Sequence, residues 1–193
     1  MTSTRSAIQI PVWEEMNNKR EIWTTRNLAL AALLAALYAA YVLYFGFVSF
    51  GVLQFRLVDA LLPLSILFGP AAIAGVTAGC FIGNALGPNL GVIDIVGGPT
   101  ANFLAAALAW AITRKKFRGS WALAVGIEIV VVSVIVGTYV VALAGAPGVP
   151  AWVGWLEFLA SEVVPIGIIG YPLLKAVDRA TSRNPVLRTQ NPS

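Results

Sequence analysis

Long apolar runs, broken by three short clusters of positive charge, most constrain what this chain can fold into. The runs are long enough to cross a lipid bilayer, whose hydrocarbon core takes about 20 helical residues to span. Of the 193 residues, 58% are hydrophobic and 11% are charged, whereas soluble domains carry about 25% charged residues. The sequence therefore predicts an all-α, polytopic membrane protein with no large soluble domain.

Six apolar segments are predicted to be membrane-spanning helices. Their approximate bounds are residues 27–47, 55–68, 71–86, 99–113, 121–144 and 152–177. Pro99 is expected in the first turn of the fourth helix, where a missing N–H costs little. Pro165 is expected to kink the sixth helix or to open one of its backbone bonds. The membrane domain is then 27–177, with residues 1–26 before it, as a surface helix or a disordered leader, and a disordered tail at 178–193.

The basic clusters predict the topology. Of 13 lysines and arginines, four lie before the first span, four lie within residues 114–118 and four lie at or beyond the end of the last span. With six spans all three clusters fall on one face, which the positive-inside rule makes cytoplasmic. We therefore predict a multi-pass protein of the cell membrane with both termini in the cytoplasm, and with Arg56 alone on the outer side.

The chain lacks residues that many forms of catalysis and metal binding need. It has no histidine and one cysteine, which excludes histidine acid–base chemistry, an internal disulfide and a cysteine-rich metal site. It has no G-x-x-x-x-G-K-[ST] nucleotide-binding motif, so ATP-driven transport would need another chain. In a membrane protein the formal charge of +4 reports topology rather than nucleic-acid binding. We expect no enzyme activity, no metal or other cofactor, and no nucleic-acid partner.

Polar side chains inside or beside the apolar runs are the strongest functional signal. An ionised side chain at mid-membrane costs about 2.5–3.5 kcal/mol on insertion scales, so its presence needs a reason. The candidates are Gln54, Arg56, Asp59, Asn84, Asp94, Asn102, Glu128 and Glu162. We place Asp94 in an outer loop and expect Glu128 and Glu162 deeper in their helices.

Three interpretations of these residues stay open at this point. They can pair internally with a structural role, form a proton or ion pathway, or line a binding pocket for a polar small molecule. The mixture of acids, amides and a guanidinium favours the pocket, because a cation path needs mainly acids. Aromatic residues such as Trp152, Trp155 and Tyr139 accompany them and can stack on a flat ligand.

The first span also carries small residues at every fourth position. One register contains Ala31, Ala35 and Ala39, and the next contains Ala32, Ala36 and Ala40. A stripe of small side chains lets another helix approach closely. It is typical either of packing within the bundle or of docking to another membrane subunit.

Four stretches, taken in order, carry a resemblance to a known family. They are ALYAAYVLYFGFVSFGVLQFRLVDAL, GCFIGNALGPNLGVIDIVGGPTANFLAA, VGIEIVVV and FLASEVVPIGIIGYPLLKAV. Over roughly residues 28–177 the chain resembles the QueT-type S components, the substrate-binding subunits of energy-coupling factor (ECF) transporters, which are assigned to the uptake of queuosine precursors. The chain departs from the family's common pattern at Val58, Asp59 and Asn102, where serine, glutamate and threonine are usual.

The resemblance implies a six-helix S component with an outward-facing pocket for a 7-deazaguanine base. It implies a membrane coupling subunit and two ATPase subunits as partners, with the alanine stripe of the first helix as the docking surface. Two other functions stay open: an S component for another vitamin-like molecule, and an unrelated proton- or ion-coupled carrier.

The resemblance also implies roles for the polar candidates as pocket residues. Glu162 and Glu128 are the first candidates to accept the two parallel donors of a guanine-like edge, as a carboxylate does in bidentate pairs. The three amides, Gln54, Asn84 and Asn102, would serve the carbonyl and ring-nitrogen edge. Asp94 or Asp59 would neutralise an aminomethyl group. An internal ion pair of Arg56 with Asp59 is an alternative for those two side chains.

Overall fold

Six helical elements make up the part of the chain that the structure describes. This computed structural model covers residues 23–46, 56–87, 90–115, 117–144 and 150–183, and these contain no strand. The elements are α1 (Thr25–Tyr44), α2 (Leu57–Phe68), α3 (Pro70–Leu86), α4 (Val92–Thr113), α5 (Ser120–Ala144) and α6 (Ala151–Arg183). Gln54, the first 22 residues and the last ten lie outside the described residues.

The bundle has the lengths and the surface of a membrane protein. Four elements, α1, α4, α5 and α6, are long and apolar enough to cross a bilayer, with mean hydropathy between 1.5 and 2.3, whereas α2 and α3 are shorter. Large apolar side chains cover the outside; Leu33, Leu156 and Ile168 are each more than half exposed. Such a surface suits lipid, because a soluble monomer rarely exposes extended apolar patches. The predicted all-α, polytopic membrane bundle is confirmed.

Helices α1 and α3 pack closely because α3 has glycines where the two helices meet. A Cβ added at Gly79 would lie 2.6 Å from the Tyr38 Cβ and 2.7 Å from the Ala35 carbonyl oxygen. A Cβ at Gly75, one turn earlier, would lie 2.7 Å from the Ala31 carbonyl oxygen. Ala31 and Ala35 therefore face α3, and Ala39 of the same register is buried.

The other alanine register of α1 points away from the bundle. Ala32, Ala36 and Ala40 are exposed in the structure. Small side chains on an exposed face leave a smooth surface that a further helix can approach.

Helices α2 and α6 are irregular, and they pack against each other through their irregular parts. Helix α2 begins as a 3₁₀ helix over Leu57–Leu64, and α6 is π-helical over Val163–Gly170. Pro165 lies inside the π-helical part, where its missing N–H prevents regular α-helical bonding. The predicted break at Pro165 is confirmed.

The start of α4 differs from the prediction. The helix begins at Val92, after Gly91 with φ +95°, so Pro99 lies inside it and Asp94 lies in its first turn. Placing Pro99 in the first turn and Asp94 in a loop was therefore wrong. Asp94 stabilises the helix start in two ways. Its carboxylate accepts a hydrogen bond from the Leu90 N–H at 3.3 Å, and its negative charge interacts favourably with the positive end of the helix dipole.

The end of the last helix also differs from the boundary expected at residue 177. Helix α6 continues to Arg183, and its last segment, Tyr171–Arg183, carries polar side chains on one face. Polar residues at the end of a spanning helix can lie in the interfacial region of the bilayer, which extends beyond the hydrocarbon core.

Candidate functional site

Most of the polar residues that the sequence singled out are buried in the interior of the bundle. Seven of the eight candidates are described, and all seven are buried, with exposed fractions of 5% or less. They are Arg56, Asp59, Asn84, Asp94, Asn102, Glu128 and Glu162. Tyr38 of α1 is also fully buried. When it is counted with these seven residues, each of the six helical elements or its flanking residues contributes a buried polar group to the interior. We call Arg56, Asp59, Asn84, Asp94, Asn102, Glu162, Tyr38 and Tyr139 the buried polar cluster.

An ion pair between Arg56 and Asp94 lies in this cluster. The Arg56 Nη2 is 3.7 Å from the Asp94 Oδ1, and the Tyr139 hydroxyl donates to the same oxygen at 2.7 Å. A buried ion pair is held only when further hydrogen bonds satisfy its remaining polar atoms. Tyr139 therefore ties α5 to the residue before α2 and to the start of α4.

Gly98 gives α4 the room to approach this ion pair. A Cβ at that position would lie 2.7 Å from the Asn84 Nδ2 and 3.5 Å from the Arg56 Nη1. Asn84 in turn donates to the Asp94 backbone carbonyl at 2.8 Å, which fixes the end of α3 against the start of α4.

Tyr38 organises the second half of the cluster. Its hydroxyl donates to the Asp59 Oδ1 at 2.5 Å and accepts from the Asn102 Nδ2 at 2.9 Å. One phenol group thus joins α1, α2 and α4. The sequence left a direct Arg56–Asp59 ion pair open; in the structure Asp59 bonds to Tyr38, and the ion pair of Arg56 is with Asp94.

Glu162 has spare hydrogen-bonding capacity inside the bundle. The residue is 1% exposed, and its Oε2 has no hydrogen-bond partner among the described residues. It lies within electrostatic range of Asp59 and Arg56, so we count it with the buried polar cluster. A buried acceptor left unsatisfied costs about 1–3 kcal/mol, which a ligand with N–H donors can offset.

Glu128 is also buried. Its Oε1 accepts from the Ser65 hydroxyl at 3.2 Å, and its Oε2 has no partner within the described part of the chain. The two glutamates therefore differ in their surroundings, because Glu162 lies within electrostatic range of Asp59 and Arg56, whereas Glu128 bonds to Ser65 of α2.

Sequence reasoning missed Tyr38 and Ser65 as members of these networks. A tyrosine in an apolar helix usually signals packing or an interfacial anchor. Its spacing of four residues from Leu34 and from Val42 does not separate it from ordinary packing, although a buried tyrosine hydroxyl normally finds a partner. The aromatic residues Trp152 and Trp155 lie elsewhere, with more than a third of each exposed.

The protein is a bundle of apolar helices with buried acids, amides and a guanidinium in its interior. This arrangement places it in the class of membrane proteins that have a polar site inside the bundle, as transporters do. A family model described as QueT transporter matches residues 28–179, so the chain belongs to the QueT transporter family. It is a membrane transport protein. A search of curated proteins and a search of solved structures found no match.

Proposed function

We propose that the chain is the substrate-binding S component of an ECF-type importer and captures a queuosine precursor, a 7-deazaguanine base, from outside the cell. The observation that carries this proposal is the buried polar cluster, which includes a buried carboxylate oxygen with no partner among the described residues. It lies within the part of the chain that matches the QueT transporter family.

The chemistry of the cluster suits a guanine-like edge. Such an edge presents two parallel donors, N1–H and the exocyclic amine, which one carboxylate accepts together. Glu162 is the better candidate for this contact, because it lies within electrostatic range of Asp59 and Arg56. Glu128 is the second candidate, and its carboxylate already accepts from the Ser65 hydroxyl.

The remaining polar residues would complete the pocket. Asn84, Asn102 and Gln54 would serve the carbonyl and ring-nitrogen edge of the base. Asp59 or Asp94 would neutralise an aminomethyl substituent. Each of these two aspartates already accepts a hydrogen bond from a tyrosine. Ligand binding would therefore replace a tyrosine hydrogen bond with one from the ligand.

Transport would require other chains, since the sequence has no nucleotide-binding motif of the P-loop type. We propose a membrane coupling subunit and two ATPase subunits as partners. The exposed register of Ala32, Ala36 and Ala40 is the part of α1 that supports docking, because the other register packs against α3. The proposed topology has six spans and both termini in the cytoplasm.

Binding to the detergent-purified protein tests this function. We would titrate a panel of 7-deazaguanines, guanine and unrelated vitamins without partner subunits. Saturable binding of a 7-deazaguanine, weaker for guanine and absent for the vitamins, is expected. Tight binding of an unrelated vitamin instead would make the chain an S component for another molecule.

A proton- or ion-coupled carrier is the second candidate. The observation that favours it is that two buried carboxylates, Glu128 and Glu162, each have an oxygen without a partner among the described residues. A carrier of this kind would transport solute when reconstituted alone, driven by an ion gradient. An S component would bind solute alone but need its ATPase partners for uptake.

A further inference from the structure

A long apolar groove lies between α3 and α4 on the outer surface of the bundle, apart from the buried polar cluster. Its volume is about 770 Å³. Trp23, Pro70 and Trp110 line one end, and Phe81, Ile82 and Pro99 line the other. None of these side chains carries a charge, so the groove is suited to hydrocarbon.

The length of the groove fits an acyl chain of one leaflet. From Pro70 to Ile82, α3 rises about 18 Å, and half of the hydrocarbon core of a bilayer is about 15 Å deep. Thr77 also lines the groove, but its hydroxyl oxygen is buried. The wall therefore offers no polar atom there to a more polar ligand.

Positive charge lies at the end of the groove marked by Trp110. The Arg114 guanidinium stacks over the Trp110 ring, with its central carbon 5.1 Å from the ring centroid. Arg114 and the following Lys115 are both exposed. A guanidinium matches the geometry of a phosphate group, and this end belongs to the basic face, where a cytoplasmic leaflet presents anionic lipids.

We propose that this groove binds one anionic phospholipid, with an acyl chain between α3 and α4 and its phosphate at Arg114. The argument rests on apolar lining, length and charge complementarity. It does not depend on what the buried polar cluster binds, so either proposal can fail without the other.

Native mass spectrometry of the full-length protein tests the lipid proposal, with phosphatidylglycerol and phosphatidylcholine of identical acyl chains as the probes. The wild-type protein is expected to retain phosphatidylglycerol preferentially. Because one arginine near an anionic headgroup is worth about fivefold in affinity, Arg114→Gln should reduce that preference about fivefold. Arg118→Gln removes the same charge from the same loop at a residue with no described contact with Trp110, and it should leave the preference unchanged.

A second pair of variants tests the acyl chain. Ala78 is exposed and lines the groove, so Ala78→Trp should reduce retention of both lipids. Val130→Trp on α5, at a position that is 51% exposed, is the control and should not. Equal retention of the two lipids, unaffected by Arg114→Gln and Ala78→Trp, would overturn the proposal. The proposal would also be overturned if the Ala78→Trp protein kept its lipid but no longer assembled with partner subunits. The groove would then be a protein-docking surface.

Discussion

At the scale of single residues, one hydroxyl group joins three helices. Tyr38 donates to Asp59 and accepts from Asn102, and all three side chains are buried. The charged members of this network could be predicted from the sequence, because a carboxylate in an apolar run is conspicuous. Tyr38 could not, since its apolar ring makes it look like ordinary packing.

Replacing Tyr38 with phenylalanine should destabilise the protein. The change keeps the ring but removes the phenol donor of Asp59 and the phenol acceptor of Asn102, and a buried polar group left unsatisfied costs about 1–3 kcal/mol. A clear drop in melting temperature in detergent is expected. Tyr44→Phe is the control, because Tyr44 is 80% exposed. If both variants melt alike, the Tyr38 hydroxyl does not stabilise the fold.

At the scale of helices, the glycines of α3 decide how closely α1 can approach. The sequence showed two alanine registers on α1 but not which one faces the bundle, because both have the same spacing. The glycines at positions 75 and 79 resolve this, since they leave room for the backbone at Ala31 and Ala35.

Gly79→Ala should destabilise the packing of α1 on α3. The added Cβ would lie 2.6 Å from the Tyr38 Cβ and 2.7 Å from a backbone oxygen, so the helices must separate. Overpacking of this kind costs about 1–3 kcal/mol. Gly126→Ala is the matched control, because a Cβ there meets nothing within 4 Å, and it should be neutral or stabilising by up to about 1 kcal/mol. Equal melting curves would contradict the close packing.

The exposed alanine register gives a prediction about assembly. Ala36→Leu should weaken co-purification with the proposed coupling subunit and leave ligand binding by the isolated protein intact, because Ala36 is exposed. Ala35→Leu should instead lower the melting temperature, since Ala35 lies against Gly79. Unchanged assembly of the Ala36 variant would place docking on another face.

Helix boundaries were predictable where apolar runs end at glycine and proline, as at Gly69-Pro70, but not at α4. Pro99 carries the usual signal of a first turn, yet the helix begins at Val92. Gly91 adopts the positive φ that precedes the helix, but Gly87, Gly97 and Gly98 lie nearby, so the sequence did not single out the helix start. At Pro165 the sequence predicted a kink or one opened backbone bond, but the proline alone does not predict the π-helical form that the structure shows over Val163–Gly170.

At the scale of the whole molecule, the basic clusters imply that the loop before α5 and the start of α6 face opposite sides. Single cysteines at Phe117 and Pro150, both exposed, should react with membrane-impermeant reagents from opposite sides of the membrane. Cys80 is buried and would be replaced by alanine in this background. Labelling from the same side would contradict six spans.

The fold draws polar groups from every helix into one interior cluster, and the central claim is that this cluster holds the ligand through Glu162. Glu162→Gln keeps the size of the side chain but places an NH₂ donor opposite the donors of the base. A hydrogen bond to a charged group is worth about 1.5–3 kcal/mol, and an unmatched donor adds a desolvation cost.

The most direct measurement is calorimetric titration of 7-aminomethyl-7-deazaguanine into the purified wild-type protein and its Glu162→Gln and Glu128→Gln variants, with a melting curve of each unliganded protein. Glu162→Gln should lower affinity roughly tenfold to a few hundredfold, at about 1.4 kcal/mol per decade, with the melting temperature nearly unchanged. Glu128→Gln should lower affinity much less, because the Glu128 carboxylate already accepts from Ser65 and has no described contact with Asp59 or Arg56. Wild-type affinity in the Glu162→Gln protein would contradict the claim, and so would collapse of that protein without ligand.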